Sequence, residues 1–421
     1  MKDEMLLSPT ETSQPLSIFV STGEVSGDLQ GSLLIQALKR QAETAGVELE
    51  IVALGGERMA QAGAELLGNT SGIGSLGLLE ALPFILPTLQ VQGRAKKYLR
   101  NSPPDLVILI DYVGPNLTLG NFIRKHLLNI PIVYYIGPQE WVCTVGSGKT
   151  TKNIVEITDL LLAIFPEEAR YFERKGASVQ WVGHPLIDRN LETPDRTTAR
   201  TALGLTSEQT VISLLPASRR QELKFLLPLI FGAAQQIQEK VPHIHFLVPL
   251  SLETYRQDLE FAIQSYGLNA TLVTKEKLPT GESSTDLSAG LFAIAASDLA
   301  ITKSGTANLE IALLNVPQVV TYRVGPLSTW IADNILKLVI PFASPVNLVV
   351  MKEIVPEFIQ QKATVQNIVE ASLELLLNEN RRQQMLADYR EMQTALGDVG
   401  VCDRAAQRIV ELLLERKNKA A

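Results

Sequence analysis

The chain has 421 residues but only two cysteines, Cys143 and Cys402, and four histidines. Two cysteines make neither a disulfide framework nor a zinc ligand set, and the histidines show no H-x-x-x-H spacing, so no metal site is expected. No stretch of about 18 apolar residues runs uninterrupted by charge, which argues against a membrane-spanning helix. The opening MKDEMLLSPTETSQPL lacks the apolar segment of a signal peptide. Residues 1–15 therefore read as a flexible leader, and the expected address is cytoplasmic. An excess of positive charge is also missing. With 38 basic against 45 acidic side chains the net charge is −7, which gives no general attraction to nucleic acid.

What is present is an alternation of short apolar runs with helical patterns. LSIFVSTGE (16–24) reads as a strand entering a turn, and Leu29, Leu33, Leu34, Ala37 and Leu38 then follow at helical spacing. LEIVALGG, DLVILID, IPIVYYIG, LLLAIFP and VQWVG read as further strands up to residue 183. A polar stretch at 184–207 looks like a hinge. The alternation then restarts with TVISLLPASR, IHFLVPL, ATLVTKE, LAITKSG and PQVVTYRV. Such alternation predicts parallel sheets covered by helices. The expected organisation is two Rossmann-like doubly wound domains, 16–190 and 191–375, facing a cleft, with a helical tail over 376–421. Ligands in such sheets sit beyond the carboxyl ends of the strands.

GSGKTT at 146–151 matches only the end of the P-loop pattern G-x-x-x-x-G-K-[ST], because Cys143 stands where the opening glycine belongs. The apolar run before it ends at Gly137, too early to feed a strand-to-helix turn. A nucleotide-binding P-loop is not expected here.

Four strand ends carry polar groups. In STGEVSGDLQG (21–31), Gly23 and Gly27 permit a tight turn. Glu24, Ser26 and Asp28 either bond substrate hydroxyls or simply cap the helix. In VILIDYVGPN (107–116), Asp111 ends a buried strand, either as a general base or as a turn cap together with Asn116. In LLPASRRQE, Ser218, Arg219 and Arg220 either grip a pyrophosphate or form a solvated basic loop. In ITKSGTANLE, the turn Ser304, Gly305 and Thr306 before a helix suits a phosphate, and Glu310 lies one turn further on, where it could accept from ribose hydroxyls.

GEVSGD, IDYVGPN, VGHPLID, LPASRRQE, SGTANLE and TYRV occur in that order over roughly residues 17–415. Together they resemble the signature blocks of the lipid-A-disaccharide synthases, inverting glycosyltransferases of the GT-B fold. The resemblance implies a metal- and cofactor-independent reaction, in keeping with the lack of a D-x-D motif. UDP-2,3-diacylglucosamine and 2,3-diacylglucosamine 1-phosphate (lipid X) would give a β-1,6 disaccharide and UDP. It assigns Asp111 as the base and Arg219 as a cation on the departing pyrophosphate. Ser218, Ser304, Gly305, Thr306, Glu310 and Asn347 fall on the UDP side, and Glu24, Ser26, Asp28 and Trp141 on the acceptor side.

Some blocks depart from the family pattern: PASR replaces P-G-S-R, Asn308 opens the helix in SGTANLE, and the second tryptophan of the acceptor loop is Cys143. UDP-sugar use is thus better supported than the acceptor's identity. The alternatives are a GT-B enzyme with another acceptor and a non-catalytic UDP-sugar or lipid-binding protein. The apolar stretch 71–90, followed by Arg94, Lys96, Lys97 and Arg100, suits peripheral contact with the anionic inner leaflet of the cytoplasmic membrane. A core helix with a solvated basic end is the other reading. A homodimer stays open.

Overall fold

A computed structural model of the chain describes residues 15–71, 85–142, 148–190, 193–216, 220–278, 289–325 and 341–420. The expected leader, apart from Pro15, lies outside them. Two sheets are formed. The first runs β1 (Leu16–Ser21), β2 (Leu49–Gly55), β3 (Glu65–Asn69), β4 (Leu106–Ile110), β5 (Ile132–Tyr135), β6 (Leu160–Ala163) and β7 (Val179–Trp181) along the chain. Its spatial order is β3-β2-β1-β4-β5-β6-β7. The second comprises β8 (Val211–Leu215), β9 (His245–Pro249), β10 (Ala270–Val273), β11 (Leu299–Lys303), β12 (Gln318–Tyr322) and β13 (Glu357–Ile359), ordered β10-β9-β8-β11-β12-β13.

All strand pairs are parallel. Strands buried on both faces need continuous apolar sequence, and β4 (LVILI) and β5 (IVYY) are buried throughout. In both sheets the strand order reverses beside the first strand, between β1 and β4 and between β8 and β11. Crevices open at such reversal points because successive crossover helices leave on opposite faces.

The 184–207 stretch is less of a hinge loop than its polarity suggested. It holds short helices at Leu186–Asn190 and Arg196–Ala202, and His184 and Leu186 are buried. The helix Val365–Leu377 precedes the expected tail, which forms two further helices, Glu379–Leu396 and Val401–Ala420. The first packs on the helix Arg220–Lys240 of the second sheet, and the last returns to lie on the helix Glu24–Thr44 of the first. Arg40 and Asp403 pair across that contact at 2.8 Å.

Among the described residues no helix is long and apolar enough to cross a membrane. No group of three or more potential metal-ligating side chains is found among them either.

Candidate active site

At the first reversal point, Asp111 directly follows β4 with its side chain exposed. Its backbone has φ 45° and that of Tyr112 has φ 49°, both left-handed. Each such non-glycine residue costs about 1–3 kcal/mol and persists only where its surroundings over-determine it. Here Asn116 and Tyr134 do so. Asn116, fully buried, donates through Nδ2 to the carbonyls of Asp111 (2.8 Å), Ile110 (3.0 Å) and Ser21 (3.3 Å). Its Oδ1 accepts from Ser21 Oγ at 2.8 Å, stapling the end of β1 to the end of β4. The Tyr134 hydroxyl donates to the Asp111 carbonyl at 2.7 Å.

The Tyr112 ring lies over Gly23, where an added Cβ would stand 2.6 Å from three ring atoms, so a side chain at 23 would displace Tyr112. The capping reading of Asn116 thus holds, and the turn leaves the Asp111 side chain exposed at the end of β4.

The other acceptor-side residues separate. Ser26 is half-buried in the first turn of the helix that Glu24 opens. Asp28 instead anchors the start of the short helix Glu57–Gln61. It is 5% exposed, and its carboxylate accepts from the backbone N–H groups of Gly56 (2.7 Å), Arg58 (3.2 Å) and Met59 (3.1 Å). With both oxygens committed to that helix end, it has little left to offer a sugar. Trp141 ends a single 3-10 turn, Gln139–Trp141, and packs at 5.7 Å on Phe165, which in turn touches His184 at 5.3 Å.

Glu168 secures this loop from below, accepting from Gly137 N at 2.7 Å and from Ile164 N and Phe165 N at 2.9 and 3.2 Å. Burial pushes its carboxyl up to about 8 against those three donors, which favour the charge. Gly148, Lys149 and Thr150 of GSGKTT begin the helix Gly148–Ile157, well separated from β5, so the strand-turn-helix of a P-loop is absent. His184 accepts from Leu186 N through Nδ1 at 3.2 Å, and burial lowers its pKa to about 3. It is a neutral structural imidazole with its proton on Nε2.

At the second reversal point, Ser304, Gly305 and Thr306 follow β11 as expected, with Gly305 at φ 154°. Their donors are largely engaged, however. Ser304 Oγ donates to the Ala343 carbonyl at 2.6 Å, and Gly305 N donates to Asn308 Oδ1 at 3.0 Å. Asn308 Nδ2 closes the turn on the Lys303 carbonyl at 2.9 Å.

Asn347, expected near a nucleotide, is fully buried behind this turn. Its Oδ1 accepts from Ile354 N and Val355 N, and its Nδ2 donates to the Val355 carbonyl and to Glu357. It ties the helix Pro345–Val350 to β13 and presents nothing to a ligand. Ser218 and Arg219 lie outside the described residues, and at Arg220 only the backbone is described.

Glu310 faces the cleft in an ion pair with Arg189, the two side chains 19% and 12% exposed. Burial raises its pKa, and the charges of Arg189 and Arg58 oppose the rise. Arg58 lies in the short helix Glu57–Gln61, whose start Asp28 anchors, so elements following strands of the two sheets confront one another at this carboxylate. Arg189 and Lys303 were not singled out by motif, although a lone cation closing the apolar run LAITK was the available signal for the second.

A cavity of about 550 Å³ lined by Asp195, Asp298, Asn315, Val316 and Arg382 lies at the amino ends of β11 and β12, away from all of these groups.

The sequence profile of the lipid-A-disaccharide synthetase family matches residues 18–411. The lipid-A-disaccharide synthase of Gloeothece citriformis is 58% identical over 396 residues, covering 94% of this chain and all of its own length. Among solved structures, the UDP-GlcNAc 2-epimerase from Neisseria meningitidis bound to UDP-GlcNAc superposes with a TM-score of 0.63 at 14% identity, covering 95% of this chain and 100% of its own. The glycotransferase of kitacinnamycin does so with a TM-score of 0.60 at 13%, again over 95% and 100%. At such identities the likeness concerns the fold alone, the two-domain GT-B arrangement with its helical tail.

Proposed function

The chain belongs to the lipid-A-disaccharide synthetase family, and from that membership we propose that it joins UDP-2,3-diacylglucosamine to 2,3-diacylglucosamine 1-phosphate, forming the β-1,6 disaccharide and releasing UDP. The observation that carries the mechanism is the strained, four-way-held turn at Asp111. The acceptor 6-hydroxyl attacks the anomeric carbon from the face opposite UDP. As the C–O bond forms, the hydroxyl proton passes to the Asp111 carboxylate, and the bond to UDP breaks with inversion. An exposed carboxylate on a rigid turn at a cleft edge suits that transfer. On the donor side, Glu310 bonds the ribose hydroxyls, and Arg219 is the cation assigned to the departing pyrophosphate, where charge develops.

We further propose that acylated substrates are met at the membrane surface. Ile85, Leu86 and Leu89 are 47%, 71% and 62% exposed at the start of the helix Ile85–Asn101. Arg94, Lys97 and Arg100 are exposed further along it. Apolar side chains beside a basic cluster suit an anionic bilayer interface.

The test is incubation of the purified protein with both acylated substrates in EDTA, following UDP and disaccharide by mass spectrometry, with Asp111→Ala alongside. Disaccharide from the wild type, lost in the variant, supports the reading. UDP binding without disaccharide would show that the acceptor is wrong.

A further inference from the structure

The donor-side turn presents a problem of charge. A departing nucleoside diphosphate carries two to three negative charges, yet the turn after β11 has its Gly305 N–H committed to Asn308 and its Ser304 hydroxyl committed to Ala343. Lys303 places a cation at that turn. As the last residue of β11 it stands beside β8, at the point where the strand order reverses. Its side chain is 13% exposed and turned over the loop. Nζ lies 3.3 Å from the Ser304 carbonyl and 3.4 Å from Glu222 Oε1, and a Cβ placed on Gly305 would come within 3.2 Å of it. Glu222 is 7% exposed and comes from the helix that follows β8. The pair therefore bridges the two elements that form the crevice.

We propose that Lys303 is a phosphate-binding residue for the UDP group and that Glu222 holds its ammonium in place as a counter-ion when the site is empty. The inference rests on the donor-site reading above. A charged lysine in a mostly buried site needs a partner, since an uncompensated buried charge is costly. A carboxylate is a suitable partner only until a pyrophosphate arrives. A compact ammonium can then re-aim toward phosphate oxygens a few ångströms away, because its three donors rotate about a flexible stem. Gly305 contributes space, because a side chain there would come within 3.2 Å of Nζ. Lys303 would act with Arg219, which follows β8 in the sequence.

The pair makes opposite predictions for its two members, and this separates a ligand-binding role from a structural one. Titration calorimetry of the full chain with UDP, and separately with uridine, is compared for wild type, Lys303→Gln, Lys303→Arg and Glu222→Gln, with thermal melts to establish folding. Lys303→Gln is expected to weaken UDP binding at least tenfold and leave uridine within twofold. Lys303→Arg should recover part of the loss. Glu222→Gln, by removing the competing carboxylate, should tighten UDP severalfold while leaving uridine unchanged.

Unchanged UDP affinity in a folded Lys303→Gln overturns the proposal. So does equal weakening of UDP and uridine, or a loss of UDP affinity in Glu222→Gln to match that in Lys303→Gln; each would make the pair a strut. A wild type that binds neither ligand overturns the donor-site reading itself, and this inference with it.

Discussion

Replacing Asn116 with alanine tests the claim that the turn at Asp111 is held in place from behind. Asn116 makes four hydrogen bonds in a fully buried position: three through Nδ2 to carbonyls and one from Ser21 Oγ. At about 1 kcal/mol net for each bond, the loss is about 4 kcal/mol, and more where a buried partner is left unsatisfied. Against this, releasing the turn relaxes residues 111 and 112, whose left-handed backbones each store about 1–3 kcal/mol. With the lower figure for each of the two residues, the balance is a destabilisation of about 2 kcal/mol, readable as a shifted urea midpoint at unchanged slope. The catalytic consequence is separable. Displacement of a reacting group by about 1 Å costs on the order of a hundredfold, so kcat should fall about that much in conditions where the variant is fully folded. UDP affinity should stay within twofold, because the donor groups belong to the other sheet. A folded Asn116→Ala with wild-type kcat would refute the argument that this side chain positions the carboxylate. A matched loss of UDP affinity would show that the damage had spread beyond the turn.

Gly23→Ala drives a methyl into the Tyr112 ring; overpacking of this kind costs about 1–3 kcal/mol, and turnover should fall while UDP affinity, measured by calorimetry, holds. Arg189→Ala leaves Glu310 charged and mostly buried, which costs about 3–5 kcal/mol in denaturant unfolding, and the double replacement Arg189→Met with Glu310→Gln should regain most of that stability but not UDP affinity. His184 has its folded pKa lowered from 6.5 to about 3, so below pH 6.5 the unfolded chain binds a proton that the folded chain refuses. Its contribution is complete above pH 6.5 and drains at up to about 1.4 kcal/mol per unit as the pH falls toward 3; denaturation of His184→Gln across that range should show a shallower acid slope, and equal slopes would place the effect elsewhere.

The central strands were legible because their sequences are unambiguous: β4, β5 and β11 are apolar runs, and Asp111 closes the first and Lys303 the last. The strands that went unread are the edge strands β3 and β13. ELLGN is half-exposed throughout, and EFI is three residues long, so neither carries the continuous burial that marks a parallel strand. The site was read by motif, and motif does not say which way a side chain turns. Asp28 and Asn347 stand in blocks of the right kind, yet each is spent on backbone N–H groups nearby. Their roles are fixed by loops that return from residues 56–59 and 354–355, out of reach of any local pattern. Arg189 was invisible for the opposite reason, since its partner lies 121 positions away and no spacing rule connects them.

That pair also explains why the short helix Leu186–Asn190 matters more than its length suggests. Asp188 receives the backbone N–H groups of Gly400, Val401 and Cys402 at 2.6, 3.1 and 2.8 Å, capping the final helix where favourable charge is negative. Its neighbour Arg189 faces the other way and pairs with Glu310. Consecutive residues of one turn thus hold the tail that lies on the first sheet and the carboxylate that serves the second. Arg404 reinforces the first attachment, donating to the carbonyls of Val182, Asp398 and Val399, and His184 N reaches the Leu396 carbonyl at 2.8 Å. A linker fixed on both sides in this way cannot swing freely. Any opening of the cleft must either carry the tail with it or break the Arg189–Glu310 pair, and a ligand that takes over Glu310 would lower the cost of the second course.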